Sequence, residues 1–389
     1  MFDLIVRGGR IVDPSQNLDT VTDIGITGPR VSAIGPDLTR QGVRGAVIDA
    51  RGLLVTPGWI DLHTHVYWGV APLGVEADPH CLQRGVTTAV DAGSSGASTF
   101  PGFKRYVIDV AATRVVAMLH LSMIGMARDD TAGDEAIGEL EELRWANVDL
   151  ALDVARNYAE AITGIKIRLS TAHVGADAGH AREVLRRARQ VADTIGKPVM
   201  VHGGMTPITL DEILSQLVRG DIVTHVYHGR EEGILDDAGT VRPSVRAAVE
   251  RGVNFDVGHG AGSFSWAIAR TGMAQGLLPG TISSDIHAWN IGGPVFDLAT
   301  TASKLLHLGL PLAEVVRRVT TTPAACIGRV GQLGTLAPGA AADVTLLRMV
   351  EGEWHLHDSH GAEEVGGTLL EPVGAIRDGR YVASTPRAL

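Results

Sequence analysis

Between residues 56 and 334 the chain alternates short apolar runs with segments of helical periodicity. The apolar runs are LLVTPGWIDLHTH, VTTAVDAG, VVAMLHLS, GIKIRLS, PVMVHGG, DIVTHVYHG, VNFDVGHG and TISSDIH. Near-continuous apolar strands that alternate with helices are typical of an α/β fold with a parallel sheet covered by helices. Eight such units predict a closed (β/α)8 barrel, known as a TIM barrel. An open doubly wound sheet is the alternative, although the first unit carries no G-x-G-x-x-G motif.

The two ends of the chain follow a different pattern. Residues 1–55 and 335–389 contain strand-like stretches such as DLIVRGGRIVD and VGAIRDGRYVAS, with Gly and Pro between them. Short strands separated by turn residues indicate all-β structure. We therefore predict a small β-sandwich domain built from both termini, with residues 56–334 forming the barrel.

Composition excludes several functions. The net charge of −10 and an aromatic content of 4% argue against a nucleic-acid-binding surface. We find no uncharged apolar stretch of about 18 residues, so we expect no membrane span. Cys81 and Cys326 are the two cysteines and form no CxxC motif, so no disulfide framework is indicated. We expect a cytoplasmic protein that binds a small-molecule substrate. The sequence does not decide whether it forms a homo-oligomer.

Each apolar run ends in polar side chains. In a barrel the C-terminal ends of the strands converge on one mouth, where active sites lie. Imidazole nitrogens and carboxylate oxygens are suitable zinc ligands, and burying so many polar groups without partners would be costly. A metal site at this mouth is therefore predicted. The polar residues at the run ends are His63, His65, Asp91, His120, Lys166, His202, His225, His259 and Asp285.

Lys166 is the unusual member of this set, because it lies inside the apolar run GIKIRLS. It could be an ordinary lysine whose amine reaches solvent at the strand end. A cationic amine would be repelled by metal ions, whereas a lysine carboxylated by CO2 is an anion that can bridge two of them. The spacing alone does not decide between these alternatives.

The motifs DLHTH, GIKIRLS, VHGG, THVYHG and SSDIH together resemble the amidohydrolase superfamily, and more narrowly its binuclear members with a carboxylated lysine. The resemblance covers almost the whole chain and includes the terminal β-sandwich, where LAPGAAADVTLL resembles the returning segment. It implies two divalent metal ions of the zinc type, bridged by N6-carboxylysine at Lys166. The implied ligands are His63, His65 and Asp285 for one ion and His202 and His225 for the other.

The resemblance also implies a mechanism. A hydroxide bridging the two metals would attack the acyl carbon, because two cations lower the pKa of water. Asp285 would accept the proton of this hydroxide and pass it to the leaving group. The expected reaction is metal-assisted hydrolysis of an ester or amide without a covalent enzyme intermediate.

Three further segments are similar to those of amidohydrolase/deacetylase-type metallohydrolases: GVTTAVDAGSSGAS, FDVGHGAGSFSW and SSDIHAWNIGGPVFDLATTASKLLHLGL. This implies a deacetylase acting on the acetyl ester or amide of a small carboxylic acid, such as an acetylated (R)-2-hydroxy acid resembling acetyl-mandelate. The alternatives are a dihydroorotase-like cyclic-amide hydrolase and an N-acyl-D-amino acid deacylase. Dihydroorotases carry an arginine where this chain has Tyr67, although Arg168 or Arg230 could replace it. D-aminoacylases usually carry a cysteine where it has Asp91.

Four residues are candidate substrate contacts. His259 is flanked by glycines that allow a ligand to approach the backbone. Arg168 shares a strand face with Lys166 and could bind a carboxylate bidentately, or it could pair with an acidic side chain at the rim. His228 and Tyr67 follow metal ligands and could contact substrate or pack at the rim. A non-catalytic relative and a mononuclear deaminase are rival classes, disfavoured by the complete ligand set and by the lysine.

Overall fold

The computed structural model of this chain describes residues 1–128, 132–133 and 136–385. The last residues of the predicted terminal domain, 386–389, lie outside these ranges. None of the described helices combines the length and hydropathy that a membrane crossing requires.

Strands and helices alternate through the middle of the chain and strands dominate its ends. The strands are β1 Phe2–Asp13, β2 Leu18–Thr27, β3 Arg30–Gly35, β4 Val43–Asp49, β5 Leu54–Pro57, β6 Trp59–Thr64, β7 Val86–Gly96, β8 Arg114–His120, β9 Ile162–Arg168, β10 Val199–His202, β11 Ile222–Thr224, β12 Asn254–Phe255, β13 Val344–His357, β14 Glu363–Arg377 and β15 Arg380–Ala383. The helices are α1 Ala77–His80, α2 Phe100–Phe103, α3 Val148–Asn157, α4 Thr171–Val174, α5 Ala178–Ile195, α6 Leu210–Ser215, α7 Pro243–Arg251, α8 Trp266–Ala274, α9 Leu298–His307, α10 Leu312–Val319 and α11 Thr321–Cys326.

Strands β6 to β12 form one parallel sheet in sequence order. Every residue of β6, β7 and β9 is buried, as expected where helices cover a parallel sheet. The longest helix shows how the sequence builds this cover. In α5 the Asp177 side chain caps the N-terminus, Gly196 ends the helix at φ 64°, and a stripe of Ala, Val and Leu is buried. The prediction of a parallel α/β sheet is confirmed.

The eighth predicted run, TISSDIH, contacts both edges of this sheet. Thr281 bridges to Asp256, just beyond β12, and Ile286 bridges to Thr64 at the end of β6. The backbone N–H of Asp285 donates to the His63 carbonyl at 2.7 Å, and that of His65 donates to the Ile286 carbonyl at 3.0 Å. The sheet is therefore curled, so that its first and last strands both pair with residues 281–286.

The two chain ends form a second sheet with the strand order β15-β14-β13-β5-β1-β2-β3, and β4 pairs with β1. Its core consists largely of Ile, Val and Leu side chains from β1, β2 and β13. β5 belongs to this sheet, so the run LLVTPGWIDLHTH contains two strands, one in each sheet. Gly58 separates them.

Candidate metal centre and cavity

The C-terminal ends of the parallel strands bring the six predicted ligands to one place. Most of them stand at or just past the end of a strand, where the polypeptide leaves the sheet. The sequence pattern of apolar runs with polar ends therefore corresponds to one cluster of side chains. His63 is the penultimate residue of β6 with His65 just beyond the strand, Lys166 lies near the end of β9, His202 ends β10, His225 follows β11, and Asp285 lies in the segment 281–286.

His63, His65 and Asp285 form the tightest part of the cluster. Oδ1 of Asp285 lies 3.3 Å from Nε2 of His63 and 3.0 Å from Nε2 of His65. The ligand atoms of these residues lie within 4.8 Å of one another, and all three residues are buried. In the part of the chain that the structure describes, this is the group of His, Cys, Asp and Glu side chains that is compact enough to hold a cation.

His202 and His225 form the second part. Nε2 of His225 and Nδ1 of His202 lie 2.8 Å apart, and the His225 ring centroid lies 5.1 Å from that of His63. Because these two ring nitrogens lie so close together, the pair could bind a second cation beside the first.

Hydrogen bonds at the opposite ring nitrogens fix the orientation of the imidazoles. Nδ1 of His63 contacts the Thr224 hydroxyl at 2.8 Å, and Nδ1 of His65 contacts the Ser94 hydroxyl at 3.0 Å. Nδ1 of His225 lies 2.6 Å from the Gly258 carbonyl, to which it donates. Metal-binding histidines usually engage such partners, which leave Nε2 available as a ligand.

The electrostatic environment keeps these imidazoles neutral. Burial, and then the charge of Lys166, lowers the pKa of His63 and His65 well below the usual value. Burial and the neighbouring His225 have the same effect on the pKa of His202. Burial lowers the pKa of His225 to about 3. Since only neutral imidazole binds a metal ion, this donor set fits a metal centre.

Lys166 is 1% exposed and lies beside the histidines. Its Nζ is 3.4 Å from Nε2 of His63 and 3.4 Å from the Met200 sulfur. Burial lowers the pKa of its amine to about 7. Gly93 in β7, at φ +92°, makes room for it, because a Cβ there would lie 2.7 Å from Cγ of Lys166.

Two of the predicted ligands adopt backbone conformations that are unfavourable for side-chain-bearing residues. His225 has φ 68° and Asp285 has φ 51°, at a cost of about 1–2 kcal/mol each. Asp285 is held by its N–H bond to His63 and by Asn290, whose amide donates to the Asp285 carbonyl at 2.7 Å. Such strain is concentrated at functional sites.

A buried carboxylate, which the sequence did not identify, supports the cluster from behind. Asp256 is completely buried and accepts hydrogen bonds from the hydroxyls of Thr224 at 2.9 Å, Thr281 at 2.7 Å and Ser283 at 2.6 Å. Because Thr224 also contacts His63, Asp256 orients that ring through the hydroxyl. The available signal was an acidic residue inside the apolar run VNFDVGHG.

A cavity of about 600 Å³ lies over the cluster. All six predicted ligands line it, together with apolar side chains and two arginines. Its further described lining includes Leu73, Met126, Met205, Trp289, Arg168, Arg230, His173 and His287. A larger cavity, of about 880 Å³, lies at the N-terminal ends of β9 to β12 and contains none of the predicted ligands. The smaller cavity is therefore the candidate active site, because it contains all six predicted ligands.

Arg168 lines this cavity, but its guanidinium is already paired. Nε and Nη2 of Arg168 donate to the two carboxylate oxygens of Glu139 at 2.6 and 2.8 Å, and both residues are buried. From the sequence, Arg168 could either bind a substrate carboxylate or pair with an acidic side chain of the protein. The structure shows the second arrangement. Glu139 lies in the loop after β8 and had no sequence signal.

The other three predicted substrate contacts lie outside the described wall of this cavity. The Tyr67 ring packs in the core 4.6 Å from Phe103, and its hydroxyl donates to the Thr99 carbonyl. Nδ1 of His228 accepts from the backbone N–H of Arg230, and the His228 side chain faces an adjacent cavity.

His259 is completely buried and stacks on Phe264 at a centroid distance of 4.6 Å. Its Nε2 accepts a hydrogen bond from Nζ of Lys304 at 2.7 Å. The glycine-rich loop around His259 therefore turns this side chain into the core, where it contacts a second buried lysine.

Comparison with known proteins places the chain in a family. A sequence profile of the amidohydrolase family matches residues 54–360. The chain is 36% identical to a deacetylase of Agrobacterium fabrum over 94% of its own length and 89% of that protein. It is 35% identical to a deacetylase of Brucella anthropi, over 96% and 91% of the two chains. The fold and site thus define a hydrolase, and the chain belongs to the amidohydrolase family.

Two solved structures resemble the whole chain. One is described as an adenine deaminase, with 31% identity and a TM-score of 0.89 over 99% of this chain and 100% of the other. The second is described as a dihydroorotase, with 32% identity and a TM-score of 0.88 over the same shares. Similar folds thus carry different described activities, so the reaction must be argued from the site.

Proposed function

We propose that this protein is a metal-dependent deacetylase that cleaves the acetyl ester or amide of a small carboxylic acid. The observation that carries the proposal is the convergence of four histidines, Lys166 and Asp285 in one cavity. The deacetylases that match nearly the whole chain support the acyl specificity.

In this proposal His63, His65 and Asp285 would hold one divalent ion and His202 and His225 would hold a second. Lys166, carboxylated by CO2, would supply oxygen donors to both ions, and zinc suits this set of nitrogen and oxygen ligands. Residues 281–286 act as the eighth strand that closes a (β/α)8 barrel over residues 56–334. Residues 1–55 and 335–389 form a separate β-sandwich domain.

When bound, the two cations lower the pKa of water and polarise the acyl carbonyl. The chain itself supplies the proton transfer. The Asp285 carboxylate is partly exposed to the cavity, with 12% of its side chain accessible. It accepts a proton from the attacking water as the C–O bond to the acyl carbon forms. It then returns the proton to the leaving oxygen or nitrogen as the acyl bond breaks, which releases acetate and the free hydroxy or amino acid.

The walls of the cavity favour an acid with an apolar side chain. Leu73, Met126, Met205 and Trp289 line the cavity with the metal-binding residues. Trp289 is 44% exposed, and an exposed aromatic surface beside a polar centre is typical of a ligand-binding site. An acetylated (R)-2-hydroxy acid with an aryl group, such as acetyl-mandelate, has both an acetyl ester to be cleaved and an apolar group that suits these walls.

Cyclic-amide hydrolysis is the second candidate, because a structure described as a dihydroorotase is 32% identical over nearly the whole chain. The position of Tyr67 in the core, away from the cavity, argues against it. An N-acyl-D-amino acid deacylase uses the same type of chemistry and differs in its acid portion.

The test is a substrate screen with zinc-loaded protein. Matched pairs of O-acetyl and N-acetyl derivatives of the same acid separate ester from amide chemistry, with dihydroorotate, N-acyl-D-amino acids and adenine alongside. We expect acetate release from acetylated acids, and its loss in Asp285→Asn, a matched variant that removes the negative charge. Turnover of dihydroorotate or adenine without acetate release would contradict the proposal.

A further inference from the structure

We infer that Arg230 binds the carboxylate of the substrate and thereby selects acids over neutral esters. This inference rests on the proposed function, since it requires a substrate that is an acylated carboxylic acid.

Among the residues that the structure describes, three lysine and arginine side chains line the cavity, namely Lys166, Arg168 and Arg230. Lys166 lies against the histidines and is assigned to the metal centre. The Arg168 guanidinium uses two of its nitrogens on Glu139. In the ranges 1–128, 132–133 and 136–385, no carboxylate lies within ion-pair distance of Arg230. Among the described residues that line the cavity, Arg230 is therefore the cation without a carboxylate partner.

The placement of Arg230 leaves its guanidinium accessible. It lies in the loop that follows His225, and its backbone N–H donates to Nδ1 of His228 at 3.2 Å. The residue is exposed, so its side chain stands at the mouth of the cavity. A cation at the mouth attracts an anionic substrate, whereas one buried with its own carboxylate does not.

Gly262 explains how the arginine reaches across the mouth. A Cβ added to Gly262 would collide with Nη2 of Arg230, and Gly262 lines the same cavity. The guanidinium thus occupies the space that a side chain at position 262 would need. This joins the loop after β11 to the loop after β12.

The chemistry of guanidinium suits this role. Its planar fork binds a carboxylate through two parallel N–H donors, which fixes both position and orientation. The apolar residues Trp289 and Leu73 line the same cavity. A small acid with an apolar side chain can therefore bind its carboxylate at Arg230 and its apolar group on those residues.

The experiment compares an acetylated 2-hydroxy acid with its methyl ester, which lacks the negative charge. In Arg230→Ala we expect kcat/KM for the acid to fall about 10- to 100-fold, as for loss of a hydrogen-bonded charge partner. The methyl ester should change by less than about 3-fold, because its uncharged group makes no ion pair. Arg230→Lys should recover part of the loss, since it keeps the charge but not the fork. Arg219→Ala, at the opposite end of the sheet, is the control and should leave both substrates unchanged.

Binding provides a second readout that does not depend on turnover. The ether analogue 2-methoxy-2-phenylacetate has the carboxylate but no acyl group, and its binding to zinc-loaded protein can be measured by calorimetry. The wild-type protein should bind it, and Arg230→Ala should weaken binding by about the same 10- to 100-fold factor. Metal analysis of the variant should show unchanged metal content.

The outcomes separate the two proposals. If no acetylated acid is hydrolysed but Arg230→Ala still abolishes binding of the ether analogue, the proposed reaction is wrong and the carboxylate site stands. Equal loss for the acid and its methyl ester would overturn the inference and make Arg230 structural. Selective loss of acid turnover in Arg168→Ala, with Arg230→Ala unaffected, would also overturn it.

Discussion

Two lysines of this protein, Lys166 and Lys304, are completely buried, and their surroundings differ sharply. Nζ of Lys304 donates to Nε2 of His259 at 2.7 Å, to the Pro294 carbonyl at 2.8 Å and to the His357 carbonyl at 2.6 Å. Nζ of Lys166 makes two contacts of 3.4 Å, to a histidine nitrogen and to a sulfur.

The difference shows that burial alone does not identify a functional lysine. An ammonium has three donors, and short acceptors satisfy all three at Lys304. That lysine connects helix α9 to the end of β13 in the second sheet. The long contacts at Lys166 leave its ammonium poorly stabilised, and burial lowers its pKa to about 7. Only the neutral amine can react with CO2, so the environment of Lys166 favours the modification.

Replacing Lys166 is the strongest way to test this contrast. In Lys166→Ala we expect loss of the bridging ligand and a fall in kcat of about 10³-fold or more, because metal-ion catalysis contributes several kcal/mol. Metal analysis and acetate release measure the two effects. Lys304→Met, the matched removal of the other buried amine, should retain its metals; full turnover in Lys166→Ala would show that no bridge exists.

Lys304→Met should instead reduce the free energy of unfolding, by about 2–5 kcal/mol, because it leaves buried acceptors without a donor. Urea denaturation measures the change. Lys104→Met is the control, since Lys104 makes an exposed pair with Asp109 and should change stability by less than about 1 kcal/mol. An equally small effect for Lys304→Met would remove its structural role.

Thr224→Val tests the support behind the metal centre. The hydroxyl of Thr224 lies between Nδ1 of His63 and Asp256, so its loss should weaken metal affinity about 10- to 100-fold. Competition with a chelator measures the affinity. Thr163→Val removes another buried hydroxyl of the same sheet, one that donates to the Ala117 carbonyl, and should leave affinity unchanged. An equal loss of metal affinity in both variants would mean that the effect comes from altered core packing and not from the hydrogen bond to His63.

The smallest expected effect concerns pH. Burial, and then the charge of Lys304, lowers the pKa of His259 well below its usual value. The unfolded chain takes up this proton near pH 6.5 while the folded protein does not. The contribution of neutral His259 to the free energy of unfolding is therefore fully present above that pH and is lost as the pH falls. In His259→Gln the decline below pH 6.5 should be shallower by about 1.4 kcal/mol per pH unit. An unchanged slope in urea titrations between pH 6.5 and 5 would mean that His259 is protonated in the folded state.

The sequence was informative wherever function depends on local pattern. Apolar runs with polar ends predict a parallel sheet with ligands at one mouth, and the structure brings His63, His202 and Asp285 together there. The merged run LLVTPGWIDLHTH was misjudged, because only tertiary pairing shows that β5 leaves the first sheet for the second.

Contacts between side chains that are distant in the sequence could not be predicted from it. Arg168 and Glu139 are separated by 29 positions, and Lys304 and His259 by 45. Nothing local distinguishes a histidine that turns toward the cavity, such as His225, from one that turns into the core, such as His259. That distinction arises from packing, as does the choice between Arg168 and Arg230.

We propose that Lys166, unlike Lys304, is carboxylated and serves as a ligand to two metal ions. The most direct test combines metal analysis with ¹³C NMR of protein reconstituted with zinc and ¹³C-labelled bicarbonate. We expect two metal ions per chain and one carbamate resonance, both retained in Lys304→Met, with the resonance lost in Lys166→Ala. Two bound metals without a carbamate resonance, or a resonance that survives in Lys166→Ala, would contradict it.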